Sequence, residues 1–206
     1  MYTDFWLAKT DSYGYKEWSQ TYGGTDGDYA HSLVETSDGG YTIAGWTNSF
    51  GAGKGDFWLV KTDSYGNIEW NQTYGGTDGD YAHSLVETLD GGYALAGDTG
   101  SSDMESLDVW LVKADIQGNM EWNKTYGGTN ADYAYSLVQT SDGGYAIAGG
   151  TSSFGPGDAN FWLIKTDAQG IPEFPSWTIL SLVLAATLTA IVYRKKLYKT
   201  QTQQSY

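Results

Sequence analysis

The chain of 206 residues contains no cysteine, which excludes a disulfide scaffold and any zinc or iron–sulfur site with cysteine ligands. Basic residues are scarce, because 11 Lys and Arg oppose 25 Asp and Glu and give a net charge of −14. Phosphate binding requires a basic surface, so this balance argues against nucleic acid as a partner. Aromatic residues, at 16% of the chain, are too frequent for a disordered protein.

Short catalytic motifs are missing as well. The sequence has no Gly-x-Ser-x-Gly, no phosphate-binding loop and no His-Glu-x-x-His. Hydrolases with a nucleophile elbow, nucleotide-dependent enzymes and zinc proteases therefore lack their minimum parts. The sequence predicts neither an enzymatic activity nor a required cofactor.

A repeat with a spacing of 52 residues dominates the sequence. The segment at 4–7 returns at 56–59, 108–111 and 160–163 without any insertion. The first two units differ at only 15 of 52 positions, and seven of these differences fall in the last eight positions. Residues 1–170 thus form one repeat region, with units at 4–55, 56–107 and 108–159 and a partial unit at 160–170.

Each unit predicts four short strands, which we label a, b, c and d. Their best examples are 81–88 for strand a, 93–97 for b, 57–62 for c and 68–74 for d. Glycine-containing turn signals separate the strands, and glycine adopts positive φ at no steric cost. Short turns of this kind favour antiparallel neighbours.

Strand c is apolar on both faces, as Phe57-Trp58-Leu59-Val60 shows, so its sheet must be covered on both sides. A four-stranded unit of this length, stacked radially, is typical of a β-propeller blade. The predicted fold class is all-β: an incomplete β-propeller of about three four-stranded blades, followed by one C-terminal transmembrane α-helix. A β-solenoid or a stack of hairpins is the alternative.

Three motifs of the repeat resemble a known family. They are Tyr-Gly-Gly-Thr-Asp-Gly-Asp-Tyr-Ala at 74–82, Asp-Gly-Gly-Tyr followed by Ala-Gly-x-Thr at 90–99, and Phe-Trp-Leu-Val-Lys-Thr-Asp closed by Gly-Asn-x-Glu-Trp at 57–70. These motifs are similar to the SBBP-type β-propeller repeats of bacterial and archaeal surface proteins, and the resemblance covers 4–170. It implies that strand a is innermost and lines a central channel, and it transfers no catalytic residue.

The strand order predicts 13 strands, which is a little over three blades. Closed propellers have about four to eight blades, so three blades do not complete a ring. We expect either further blades upstream, with Met1 not the natural start, or a homo-oligomer whose chains share one ring. A truncated gene remnant without independent function is a third interpretation.

The C-terminal region has a different composition. Residues 174–193 carry no charge, and a helix of that length spans roughly 30 Å, the thickness of a hydrocarbon core. We predict a transmembrane helix at 176–193 in a lipid bilayer, with Trp177 and Tyr193 at its two ends. The basic tail at 194–206 favours the cytoplasm, which places the repeats outside the cell.

A proline-containing junction at 171–175 precedes this segment and interrupts strand d of the last unit. Pro172, Glu173 and Phe174, followed by an apolar span and a basic cluster, are similar to the PEF-type C-terminal sorting signals of archaeal surface proteins. This resemblance implies an archaeal source and an anchor that is cleaved and replaced by a lipid.

One ring-bearing residue recurs in strand a of each unit. His31 and His83 occupy the same repeat position, and Tyr135 stands there in the third unit. Because the tyrosine would break a ring of metal ligands, we expect these side chains to pack or to line a channel.

Closely spaced carboxylates precede strand a in the first two units, where Asp26 accompanies Asp28 and Asp78 accompanies Asp80. Such pairs are weak Ca²⁺ candidates, but aspartate also suits a turn, and we favour the turn. The candidate ligand-binding residues are one acidic and one ring residue from each unit: Asp28, His31, Asp80, His83, Asp132 and Tyr135.

The d–a loops and the variable b–c loops at 48–55, 100–107 and 152–159 should lie on one face of an antiparallel meander. A constant scaffold that presents unequal loops is typical of a binding surface. We therefore predict a membrane-anchored cell-surface module that serves adhesion or structure, with carbohydrate or protein as partner. A propeller-type hydrolase or lyase with a site at the channel mouth is the alternative.

Two glycosylation sequons occupy one repeat position on strand d. They begin at Asn71 and Asn123, whereas Ser19 stands at this position in the first unit. Exposure at the outer edge of a blade makes both asparagines candidate acceptors.

Overall fold

The computed structural model describes residues 2–100 and 107–173. Within these ranges all regular structure is β, which confirms the all-β prediction. The described residues include no helix with the length and apolarity needed to cross a membrane. The predicted transmembrane helix at 176–193, the basic tail at 194–206 and Phe174 of the sorting motif lie outside the described residues.

Thirteen strands are present in these ranges, as the repeat predicted. They are β1 (Phe5–Thr10), β2 (Lys16–Tyr22), β3 (Asp28–Glu35), β4 (Tyr41–Thr47), β5 (Asp56–Thr62), β6 (Ile68–Tyr74), β7 (Asp80–Glu87), β8 (Tyr93–Gly100), β9 (Leu107–Ala114), β10 (Met120–Tyr126), β11 (Asp132–Gln139), β12 (Tyr145–Thr151) and β13 (Asn160–Thr166).

The strands form four antiparallel sheets in which sequence neighbours pair. Sheet 1 contains β1 and β2, sheet 2 contains β3 to β6, sheet 3 contains β7 to β10, and sheet 4 contains β11 to β13. The predicted labels a, b, c and d therefore apply in order within sheets 2 and 3. Sheet 1 has only the c–d hairpin, and the described part of sheet 4 has strands a, b and c. The predicted turns hold as well, since Gly66 and Gly91 adopt φ values of 80° and 82°.

The sheets pack face to face through strand c. In sheet 2, every residue of Asp56–Thr62 is buried, as the two-sided apolar pattern predicted. We call the side of a sheet that carries Phe57 and Leu59, or their repeat equivalents, its forward face. The opposite side, which carries Trp58 and Val60 or their equivalents, is the rear face.

Each forward face packs on the rear face of the next sheet. Phe57 and Leu59 of sheet 2 share a hydrophobic cluster with Trp110 and Val112 of sheet 3. The corresponding clusters join sheet 1 to sheet 2 through Phe5, Leu7, Trp58 and Val60, and sheet 3 to sheet 4 through Val109, Leu111, Ile147 and Ile164. The same contact is thus made three times by equivalent residues.

A tyrosine at the end of each strand d stabilises this contact between sheets through a hydrogen bond. The Tyr22 hydroxyl donates to the Gly66 carbonyl of the next sheet at 2.8 Å, and Tyr74 donates to Gly118 at 2.7 Å. Tyr126 repeats the bond with Gly170 at 2.6 Å. Burial raises the pKa of Tyr22 to about 12, so its hydroxyl stays protonated and able to donate at neutral pH.

A buried lysine near the C-terminal end of strand c forms ion pairs with two neighbouring segments of its sheet. Lys61 is 4% exposed, and its Nζ lies 2.8 Å from both Asp38 and Glu69 and donates to the Thr62 carbonyl at 3.0 Å. Burial lowers the pKa of Lys61, but the bonds to Asp38 and Glu69 outweigh that effect and raise it. The ammonium group therefore stays charged while it bridges the a–b turn to strand d.

We predict that Tyr74→Phe lowers the free energy of unfolding by about 1–2 kcal/mol, because the buried Gly118 carbonyl loses its donor. Urea denaturation followed by circular dichroism measures this change. Tyr65→Phe is the matched control, since Tyr65 is 71% exposed in the turn between β5 and β6. Equal losses in the two variants would show that the hydrogen bond between the sheets contributes nothing.

Candidate functional site

An open cavity of about 650 Å³ runs across the a strands of sheets 2, 3 and 4. Each a strand supplies two ring-bearing residues: Tyr29 and His31 from β3, Tyr81 and His83 from β7, and Tyr133 and Tyr135 from β11. The b strands add Trp46 and Asp98. The three predicted ring residues, His31, His83 and Tyr135, are therefore brought together in one cavity.

A β-bulge lies at each of these three positions. The pairing of strand a with strand b skips one residue between Ala30 and Ser32, and it skips His83 and Tyr135 in the same way. A bulge leaves its extra residue unpaired and redirects its side chain. The repeated bulge therefore explains why a residue of strand a in each sheet turns its ring into the cavity.

The aromatic lining is partly stacked and partly open. Tyr29 stacks on Trp46 with ring centroids 4.2 Å apart, and Tyr81 meets the same indole edge-on at 5.1 Å. Tyr133 and Tyr135 are parallel within 4° at 6.3 Å. Tyr135 is 63% exposed, so a broad aromatic surface remains available to a ligand.

A histidine–aspartate pair is the polar part of the cavity. The Nε2 atom of His83 lies 2.9 Å from Oδ2 of Asp98, a carboxylate that is only 3% exposed. The other oxygen, Oδ1, accepts the backbone N–H of Ala134 in sheet 4 at 2.8 Å. Asp98 thus fixes the His83 ring and also joins sheet 3 to sheet 4.

The second histidine has a different environment. The rings of His31 and His83 meet edge-on, with centroids 5.2 Å apart. Burial lowers the pKa of His31, and the neighbouring His83 lowers it further. The neutral imidazole of His31 is therefore favoured near pH 7, which keeps this side of the cavity uncharged.

Asp98 and Trp46 were missed by the sequence reasoning. They occupy one repeat position in strand b, where the third unit has Gly150, and the preceding residue is glycine in all three units. The available signal was the large change in side-chain chemistry at this position, since the strands otherwise vary only at the positions of Thr42 and Ile43, where the replacements are small. The contribution of this position to the cavity was not predictable from the sequence, because the residues that each side chain contacts lie on neighbouring a strands.

The three predicted aspartates lie outside the cavity lining. Asp28, Asp80 and Asp132 are at most 4% exposed and sit at the start of the a strands. In each sheet Oδ2 accepts the backbone N–H of a glycine four residues earlier, for example Gly24 to Asp28 at 2.9 Å. These carboxylates hold the d–a loop against strand a, which is the turn role that we favoured.

Among the described residues, no further His, Asp or Glu side chain joins the Ca²⁺ candidates Asp26, Asp28, Asp78 and Asp80 to complete a cation site. Over 2–100 and 107–173, no group of three or more His, Asp or Glu side chains is placed to hold a metal ion. Instead, Asp80 lies near a second buried carboxylate, Asp56. Burial raises the pKa of both groups, and the charge of Asp56 raises that of Asp80 further.

The variable loops meet the d–a loops, as predicted. Ser49 in the first b–c loop accepts the backbone N–H of Asp26 at 3.0 Å, and Ser153 accepts that of Asn130 at the same distance. Residues 101–106 of the second variable loop lie outside the described residues. One face therefore carries both loop types in the first and third units.

The sequon asparagines are exposed on the edge strands β6 and β10. The Asn71 side-chain oxygen accepts the indole N–H of Trp58 at 3.1 Å, and Asn123 accepts that of Trp110 at 3.2 Å. The tryptophan therefore orients each side-chain amide at the outer edge of its sheet.

No family model matches the chain. The chain is 26% identical over 193 residues to the regulatory protein FlaEY of Caulobacter vibrioides, a match that includes 78% of this chain. The chain spans only 20% of the length of that relative.

We predict that Asp56→Asn makes stability less dependent on pH. A carboxyl group with a raised folded-state pKa stabilises the fold fully below its unfolded pKa of about 3.9 and loses this effect as the pH rises through the folded value. Between pH 4 and 7, the free energy of unfolding of the variant should then change less steeply with pH. The difference in slope corresponds to at most about one proton exchanged on unfolding. Asparagine is tolerated at this position, since Asn160 is its equivalent in sheet 4.

Urea denaturation at a series of pH values measures this dependence. Asp158→Asn is the control, because Asp158 lies exposed in the loop before β13. If the free energy of unfolding depended on pH identically in the wild type and Asp56→Asn, the raised pKa values of the Asp56–Asp80 pair would have no effect on stability.

Proposed function

We propose that this chain is a cell-surface binding module built on an incomplete β-propeller of the SBBP repeat type, and that its ligand site is the cavity on the a strands. The cavity is the observation that carries the proposal. Its volume of about 650 Å³ falls within the usual range of small-molecule sites, about 300–1,000 Å³.

The radial arrangement of a propeller is supported by the contacts between a strands. Ser32 in β3 accepts the backbone N–H of Leu85 in β7 at 3.1 Å, and Ser84 accepts that of Leu137 in β11 at 3.0 Å. Equivalent strands of successive sheets are therefore direct neighbours, whereas β6 and β10 lie at the opposite edges of sheets 2 and 3. This arrangement favours blades over the solenoid or hairpin-stack alternatives.

A neutral saccharide is the ligand class that the cavity fits best. Tyrosine and tryptophan rings offer flat apolar surfaces with polar tips, which suit the apolar faces and hydroxyl groups of a sugar ring. The His83–Asp98 pair supplies hydrogen-bonding groups at a fixed place. The net charge of −14 repels anionic ligands, so neutral sugars are favoured over acidic ones.

The cellular location rests on the C-terminal sequence. The uncharged segment at 174–193, the basic residues after it and the Pro172–Glu173–Phe174 tripeptide support a membrane anchor with the repeats outside the cell. The PEF-type resemblance adds an archaeal source to this proposal. Glycosylation at Asn71 and Asn123 requires the same topology.

A propeller-type hydrolase or lyase remains the second candidate, and the His83–Asp98 pair favours it. A buried carboxylate that orients a histidine ring is the usual arrangement of a general base. Asp28 and Asp80 do not join that pair, because both are buried in loop hydrogen bonds.

We predict that Tyr135→Ala weakens the binding of neutral oligosaccharides about tenfold, equivalent to about 1.4 kcal/mol, because the exposed stacking surface is removed. A glycan array identifies the sugar, and isothermal titration calorimetry measures the dissociation constant. Tyr13→Ala is the control, since Tyr13 is 85% exposed in the turn between β1 and β2.

Three results would count against the saccharide site. These are an array without bound sugars, equal affinities of Tyr135→Ala and the wild type, and affinity that depends on the loops at 48–55 and 152–159 alone. Cleavage of the bound sugar by the wild type and not by His83→Gln would instead favour the hydrolase or lyase.

We predict that protease added to intact cells degrades residues 2–173, because the membrane anchor exposes the repeats outside. Immunoblotting against the repeats measures their loss, while a cytoplasmic protein of the same cells should stay intact. Protection of the repeats until the cells are lysed would reverse the proposed topology.

A further inference from the structure

The forward face of sheet 4 is uncovered in the described part of the chain. Phe161 and Leu163 of β13 are 80% and 62% exposed, whereas their equivalents Phe57 and Leu59 are fully buried against sheet 3. The same two apolar side chains therefore have a partner sheet in sheet 2, and in sheet 4 they have none among the described residues. This face is the same kind of surface as the one that joins sheet 2 to sheet 3.

The rear face of sheet 1 is uncovered in the complementary way. Trp6 of β1 is 64% exposed, but its equivalents Trp58 and Trp110 are 2% and 8% exposed because each packs on the preceding sheet. The heptapeptides of β1 and β5 at 4–10 and 56–62 differ only at Ala8, where β5 has Val60. Strand c of sheet 1 therefore presents almost the same rear-face side chains that strand c of sheet 2 buries, although sheet 1 has only two described strands.

The internal contacts show how these two surfaces fit. Phe5 packs on Trp58 with ring centroids 4.6 Å apart and planes at 54°, and Phe57 packs on Trp110 at 4.8 Å and 58°. In both pairs a phenylalanine of one forward face meets a tryptophan of the next rear face. Phe161 is the next phenylalanine in this series, and Trp6 is the equivalent tryptophan whose ring is exposed among the described residues.

We propose that two copies of this chain associate head to tail, with the forward face of sheet 4 in one copy packed on the rear face of sheet 1 in the other. The contact continues an interface that the chain already forms three times. Each contact joins two different surfaces, and two such contacts related by a twofold axis close a ring of two copies when the rotation permits. Two copies with 13 described strands each contain 26 strands, equivalent to about six four-stranded blades, which lies within the about four to eight blades of closed propellers.

The charge of the chain sets the conditions for this association. Each copy carries a net charge of −14, so two copies repel each other at low ionic strength. Salt screens this repulsion and strengthens apolar association. The dimer should therefore become tighter between about 0.05 and 0.5 M NaCl, where the Debye length falls below about 10 Å.

The test uses the full chain in detergent micelles and measures its mass by light scattering during gel filtration. The wild type should be dimeric at micromolar concentration, and Phe161→Glu and Trp6→Glu should each be monomeric, with at least about tenfold weaker association. Both positions are exposed, so the variants should keep the circular dichroism spectrum of the wild type. Tyr13→Glu, also exposed but outside both faces, is the control and should stay dimeric.

Mixing the two monomeric variants tests the geometry. Phe161→Glu retains an intact Trp6 surface, and Trp6→Glu retains an intact Phe161 surface, so a head-to-tail contact can form once between them. Restored dimers in the mixture would support the proposal. Three results would overturn it: a monomeric wild type, a mixture that stays monomeric, or dimers that survive in either variant alone. Surviving dimers would place the contact elsewhere, for example in the C-terminal segment.

Discussion

The burial of strand c on both of its faces is the constraint on which the architecture depends. Phe57 and Leu59 need one apolar neighbour and Trp58 and Val60 need another, so no sheet of this kind is stable as a single layer. Burying side chains of this size stabilises each sheet by about 1.5–3 kcal/mol per residue. Stacking equivalent sheets satisfies both faces with one repeated contact. It also leaves an unsatisfied face wherever the stack stops.

The candidate site is a consequence of the same stacking. Successive a strands lie side by side because their sheets do, and the bulge at His31, His83 and Tyr135 turns one ring per strand towards a common space. The scaffold is constant from unit to unit, whereas Trp46 and Asp98 differ at one position of strand b. Differences between the sheets in their contribution to the cavity are therefore concentrated at a position that does not take part in the packing between strands c.

Local features of the sequence predicted local structure well. The glycine turns, the order of the strands and the two-sided apolar character of strand c are encoded within a few residues, and the structure confirms them, with strand ends that differ from the prediction by up to three residues. The Tyr74–Gly118 bond was not predictable in this way, because it joins residues 44 positions apart in different sheets. The aspartates Asp28 and Asp80 were placed in the ligand set together with His31 and His83. Burial in loop hydrogen bonds separates them.

The sequence by itself determined the period, the number of strands and their antiparallel order, since these follow from alternation, turn chemistry and a repeat without insertions. Tertiary structure alone decided which residues share a cavity and which end faces remain open. The physical reason is that side chains such as His83 and Asp98 meet across strands, and Phe161 and Trp6 differ from their buried equivalents in having no neighbouring sheet within the described ranges. Phe161 and Phe57 are the same residue type, as are Trp6 and Trp58, so only the position of each sheet in the stack makes one side chain exposed and its equivalent buried.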